Sequence, residues 1–146
     1  MLEIGSMNLD SQWVVGFVDG EGCFYVGINS HPDMITGFQV LPEFTVVQHE
    51  RDIQVLHALK QFFGCGVVRQ NHADRQCFRV RKLEDLREKI IPFFHKHPLK
   101  TRKSVDFHTF CRIVNLMTQS EHLTRQGLDH IKALAETMNR KGINSY

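Results

Sequence analysis

The stretch Trp13-Val-Val-Gly-Phe-Val-Asp-Gly-Glu-Gly22 decides how the rest of the chain is read. It follows Asp10 and Ser11, two residue types whose side chains accept from the unpaired N–H groups at a helix start. Trp13, Val14, Phe17 and Val18 recur at helical spacing, and Gly20-Glu-Gly22 stops the pattern. The spacing predicts a helix over residues 10–20. Gly16 and Gly20 stand four apart on one face of it, and small residues there let a second backbone approach. A second copy of the helix fits against that face, so Trp13, Gly16, Phe17 and Gly20 are the candidate dimer-interface residues.

Asp19 and Glu21 lie at the C-terminal end of this helix, where its dipole is already negative. Two copies related by a two-fold axis would bring two carboxylates together and increase the repulsion. A hard divalent cation relieves it, and oxygen ligands suit Mg²⁺, with Mn²⁺ or Ca²⁺ as alternatives at the same site. Glu21 and Gly20 are the candidate metal-binding residues. Asp19 either braces the local turn or also reaches the cation. Paired carboxylates with bound cations suit metal-assisted phosphodiester hydrolysis, with Glu21 as its first candidate catalytic residue.

Outward from this helix the period changes to two. Residues 23–30 and 38–48 alternate as strands, separated by a turn over His31–Gly37, and Pro42 points to an edge or bulge in the second. A helical pattern returns over 51–63 and ends at Gly64 and Gly66. Residues 67–71 and 76–81 read as a hairpin around His72-Ala-Asp74. Helices follow over 83–95, 103–117 and 124–140, with Pro92 disturbing the first and Pro98 separating it from the second. The order α-β-β-α-β-β-α-α-α without a dividing linker describes one α+β domain over residues 1–146. Met1–Met7 reads as a disordered or vector-derived start.

Strand alternation separates two faces. Phe24, Val26, Ile28, Phe44, Val46, Val68, Phe78 and Val80 fall on the apolar one. The other carries Tyr25, Asn29, Gln39, Thr45, Arg69, Asn71, Arg75, Arg79 and Arg81, with His31 beyond the first strand. These residue types read base edges in a major groove, and they are the candidate DNA-binding residues. Arginines repeated along one face repel each other unless an anion is near. The formal charge of +2 conceals the same bias. Residues 1–68 hold two basic and eight acidic residues, net −6, whereas 69–103 hold eleven and four, net +7. A basic middle in a nearly neutral chain points to a localised anionic partner.

Some chemistries find little support. The cysteines Cys23, Cys65, Cys77 and Cys111 form no C-x-x-C pair, which argues against zinc and for a reducing compartment. His95-x-His97 lacks a supporting Cys/His set. No apolar run approaches the roughly 20 residues of a membrane span, so no membrane partner is expected.

Val14 to Gly22 resembles the LAGLIDADG signature of homing endonucleases position for position. Gly16, Asp19 and Gly22 are identical to it, and Glu21 stands where the signature has its second acid. The αββαββα order extends the resemblance over most of the chain, as does Pro98-Leu-Lys-Thr-Arg-Lys103 leading into Val105-Asp-Phe107. The resemblance implies the homing-endonuclease fold, here with additional C-terminal helices, whose saddle-shaped antiparallel sheet rests on DNA. It implies site-specific cleavage of double-stranded DNA, an intron-encoded gene, and an intracellular setting, organellar (chloroplast or mitochondrion) or microbial. There is no second motif, since Gly127-Leu-Asp-His130 lacks the second acid. Half of a two-acid site must then come from another subunit. A homodimer follows, and with it a long, palindromic or pseudo-palindromic target. The resemblance also marks Gln48, at the end of the second strand, and a basic residue before the fourth helix as catalytic candidates. Among Lys100, Arg102 and Lys103 the choice falls on Lys103. The competing expectation is a related protein without cleavage, an intron RNA maturase or a nucleic-acid-binding regulator.

Overall fold

The computed structural model describes residues 7–139. The expectation for the opening seven residues therefore lies outside it except at Met7, as does the last position of the helix expected to reach residue 140.

Helix α1 (Ser11–Glu21) starts where Asp10 accepts from the N–H groups of Gln12 and Trp13, at 2.9 and 3.2 Å. Val14, Val15 and Val18 bury its inner face. The chain then turns straight into strand β1 (Gly22–Ser30), where the close approach of Val18 favours glycine. A Cβ on Gly22 would lie 2.8 Å from Val18 Cγ1 and 3.0 Å from the Val18 carbonyl oxygen. Strand β2 (Phe38–His49) and a 3₁₀ turn (Glu50–Asp52) lead into helix α2 (Ile53–Phe63). Strands β3 (Val67–His72) and β4 (Arg75–Val80) follow. All neighbours pair antiparallel, in the order β1-β2-β4-β3. Pro42 pairs with Val26 but lies beyond Phe44, the first β2 residue paired with β4. It thus occupies an edge, where a missing N–H breaks no ladder.

One face of the sheet is packed with aromatic rings. Phe24 stacks on Phe44 with centroids 5.0 Å apart and meets both Phe107 and Phe110 at 5.2 Å. Phe24, Phe44, Phe78 and Phe110 are fully buried, each contributing about 1.5–3 kcal/mol of transfer free energy. Helices cover this face and leave the other open.

The expected single helix over 83–95 is three pieces: α3 (Leu83–Asp85), a π-helical turn (Leu86–Ile90) and α4 (Ile91–Lys96). Pro92 has no N–H to give the Glu88 carbonyl, and the wider turn accommodates that gap. Helices α5 (Lys103–Thr118) and α6 (Arg125–Ala135) complete the fold. Helix α6 stops five residues before the expected end, in a turn that carries Asn139 at φ 53°. The fold class and element order expected from the sequence are otherwise present.

Candidate active site and nucleic-acid interface

The two acids of α1 have different surroundings. Glu21 is exposed and forms no hydrogen bond or ion pair within the described residues. Asp19 is half-buried and accepts three hydrogen bonds from the segment before α5. Lys100 N–H donates to Oδ2 at 2.7 Å, while Thr101 donates to Oδ1 through its N–H at 3.2 Å and its hydroxyl at 2.7 Å. Lys103 comes from the start of α5 and places Nζ 3.0 Å from the carbonyl oxygens of both Val18 and Asp19. A cation thus closes the negative end of the α1 dipole. Burial pushes the Lys103 ammonium below its ordinary pKa, against the opposite pull of Cys23, Asp19, Glu21 and Asp106. Lys100 turns its own ammonium to the Pro98 carbonyl instead.

Trp13, Gly16, Phe17 and Gly20 line one stripe of α1, which is open at Trp13, Gly16 and Gly20, while Phe17 is half-buried against the core. Trp13 is 44% exposed and stacks on Phe17 with centroids 4.8 Å apart. A Cβ built on Gly16 or Gly20 meets nothing within 4 Å. Among the described residues no three His, Cys, Asp or Glu side chains gather to hold a metal. What one chain offers is the Glu21 carboxylate beside the Gly20 backbone carbonyl. These are hard oxygen donors of the kind Mg²⁺ and Ca²⁺ take, but too few for six-coordination. Gln48 sits two residues past Val46, the partner of Gly22, and so lies at the same end of the sheet as Gly20 and Glu21. Two residues along a strand share a side, so Gln48 falls with Val46 on the helix-covered face, where it is half-buried.

The open sheet face holds most of the expected DNA-binding residues. Asn29 lies opposite Gln39, and Thr45 opposite Arg79, which in turn faces Val67. Arg69 faces Cys77, and Arg75 faces both His49 and His72. Tyr25 is 51% exposed. His31 lies just past β1, in a turn where its Nδ1 accepts from the Asp33 N–H at 3.3 Å. Burial, then the charges of Arg81 and Arg69, lower the pKa of Arg79, against a smaller opposite pull from Cys77 and Glu43. Three expectations change. Asn71 lies at a bulge between Gln70 and His72, so simple alternation no longer assigns its side. Cys77 shares the strand side of Arg75 and Arg79 by alternation, yet it is buried, so that side is not polar throughout. Arg81 is past the end of β4, and its Nε is bound to Glu43 Oε1 at 2.8 Å. Glu43 alternates onto the same side as Thr45, but no local pattern signals the pair, because Arg81 is 38 residues away.

The LAGLIDADG endonuclease profile matches residues 14–114, from α1 into α5. The chain belongs to the LAGLIDADG endonuclease family. The crystal structure of a homing endonuclease, I-TnaI, is 58% identical and superposes with a TM-score of 0.89, covering 94% of this chain and 93% of that one. The I-SmaMI LAGLIDADG homing endonuclease bound to cleaved DNA is 34% identical, with a TM-score of 0.89, 92% of this chain and 45% of that one. The Neurospora crassa protein named "Probable intron-encoded endonuclease 2" is 34% identical over 127 residues, 86% of this chain and 26% of its own length. The chain spans 24–26% of that protein and of two similar fungal relatives. The matched span begins at Val14 and so takes in Gly16, Asp19, Glu21 and Gly22.

Proposed function

We propose that this chain is a site-specific double-strand DNA endonuclease that works as a homodimer and takes a divalent cation, Mg²⁺ foremost, on Glu21 and the Gly20 carbonyl. One observation carries the reading: an exposed carboxylate without a partner ends a helix stripe that is itself open and lined by glycine. A two-fold axis along that stripe sets two Glu21 side chains against each other and doubles the oxygen donors. The family supports it, as does I-TnaI, a homing endonuclease matched over nearly its whole chain. So does I-SmaMI, described both with cleaved DNA and with uncleaved target in the presence of calcium ions. This chain covers about half of I-SmaMI, as one of two like halves would.

When bound, such a cation activates water and neutralises charge on the phosphate oxygens. The chain's own residues supply the rest. Lys103 holds a positive charge at the end of α1, close to where a phosphate would lie. Gln48 offers an amide to order water at the same end of the sheet. Arg69, Arg75 and Arg79 bind phosphates and guanine edges, while Tyr25, Asn29, Gln39 and Thr45 supply further base contacts. Asn71, Arg81 and His31 stand at the margin of this surface. The described residues act as one endonuclease domain. An intracellular setting and an intron-encoded gene fit the relatives' names, and no described helix is long and apolar enough to cross a membrane.

The test is cleavage of a randomised, palindrome-enriched duplex library with Mg²⁺, comparing the protein with Glu21→Gln. Discrete Mg²⁺-dependent cuts, absent in the variant, are expected. If neither protein cuts while both enrich sequences, the chain is a non-cleaving binder and RNA ligands come next.

A further inference from the structure

The first acid of the α1 motif is engaged differently from the second. A carboxylate has about four lone-pair sites, and the Asp19 carboxylate has given three of them to donors of one loop. Oδ1 accepts two of these bonds and Oδ2 one, so the loop holds both oxygens and fixes where the carboxylate points. The loop it holds is the connector between α4, ending at Lys96, and α5, beginning at Lys103. Leu99 is buried in the core and anchors the apolar side of this connector. Asp19 anchors the polar side, one residue from Val18 and two from Glu21. The Thr101 hydroxyl also accepts from the Lys103 N–H at 3.3 Å, so the Asp19 tether continues into the first turn of α5. That turn carries the Lys103 ammonium to the Val18 and Asp19 carbonyls.

We infer that Asp19 is a positioning residue: through Thr101 and Lys100 it fixes the start of α5 so that Lys103 stands at the end of α1 beside Glu21, and it binds no metal itself. This rests on the endonuclease reading and adds a role that the second acid does not share. Asp19 restrains a basic segment whose displacement would carry the nearest ammonium away from the scissile phosphate. Misplacing such a group by about 1 Å can cost about 100-fold in rate.

The experiment uses the intact protein and a duplex selected from the library. Single-turnover cleavage rate, the Mg²⁺ concentration giving half-maximal rate, and DNA affinity in Ca²⁺ are measured for wild type, Asp19→Asn and Thr101→Val. Thr101→Val removes one hydroxyl and leaves every carboxylate in place. Positioning predicts that both variants cut about 10-fold or more slowly, with Mg²⁺ half-saturation and DNA affinity within about twofold of wild type. If Asp19→Asn raises the Mg²⁺ requirement and its rate recovers at high Mg²⁺, Asp19 is a ligand and the inference falls. It falls equally if Thr101→Val cuts like wild type. Should wild type cut nothing, the endonuclease reading has failed instead. Amide exchange at Lys100 and Thr101 then still tests the tether, because Asp19→Asn must accelerate it.

Discussion

Cys111, on α5, shows how far burial alone can move a group. Its thiol is pushed up to about 12, burial being the main cause, and His95 Nε2 lies 3.9 Å from its sulfur. In the unfolded chain the thiol ionises near its ordinary value of 9.0. Between pH 9 and about 12 the unfolded state therefore releases a proton that the folded state keeps, and stability falls as pH rises through that window. Below it, both states are neutral and the group contributes no slope. Urea melts of wild type and Cys111→Ser across about pH 8–11 should diverge only above about pH 9, with wild type losing stability faster. Parallel curves would show that the site is wet. At the same scale, Glu21 and Asp19 stand two apart in one motif, and the sequence leaves Asp19 open between bracing the turn and reaching a cation. Their separation into one open and one bonded acid depends on donors 81 and 82 residues away, beyond the reach of any local pattern.

Helix α1 is a two-sided element, and its glycines can be told apart by substitution. Gly16 lies on the open stripe with free space around it, whereas Gly22 lies against Val18. Gly16→Val should leave the monomer folded, since a Cβ there meets nothing within 4 Å, yet weaken self-association by about 1–3 kcal/mol through overpacking. Gly22→Ala should do the converse and lower chain stability by about 1–3 kcal/mol. Sedimentation equilibrium with thermal melts separates the two. A Gly16→Val protein that still associates at wild-type strength would move the dimer axis off α1. The periodicity of residues 10–20 made this helix and its stripe legible. It could not reveal the π-helical turn at Leu86–Ile90, because the effect of Pro92 depends on whether neighbouring helices hold the chain helical past it.

At the scale of the whole molecule, Arg69, Arg75 and Arg79 on β3 and β4, with Arg81 just beyond, bring four cations to the side of the sheet opposite the phenylalanine core. Salt dependence of DNA binding reports how many of these cations meet phosphate. Removing one cation that neutralises a phosphate should flatten the slope of log affinity against log salt by about 0.9. Arg79→Ala should come close to that change if Arg79 meets phosphate. Arg81→Ala should give less, because Glu43 already neutralises Arg81 at 2.8 Å. Equal changes would mean that the Glu43–Arg81 pair opens on DNA. An exposed ion pair of this kind contributes only about 0–1 kcal/mol to folding, so its main consequence is for which arginine is free.

Element order, the two faces of the sheet, the glycine stripe of α1 and the family were all readable from the sequence alone. Each of these is a repeat of period two or 3.6, or a short motif, and neighbours along the chain suffice to specify them. Only the folded chain settled which acid is engaged, which lysine closes α1, that Asn71 sits at a bulge, and that Glu43 holds Arg81. These are pairings between segments distant in sequence. They depend on distances that packing sets between those segments, and no local pattern encodes such distances.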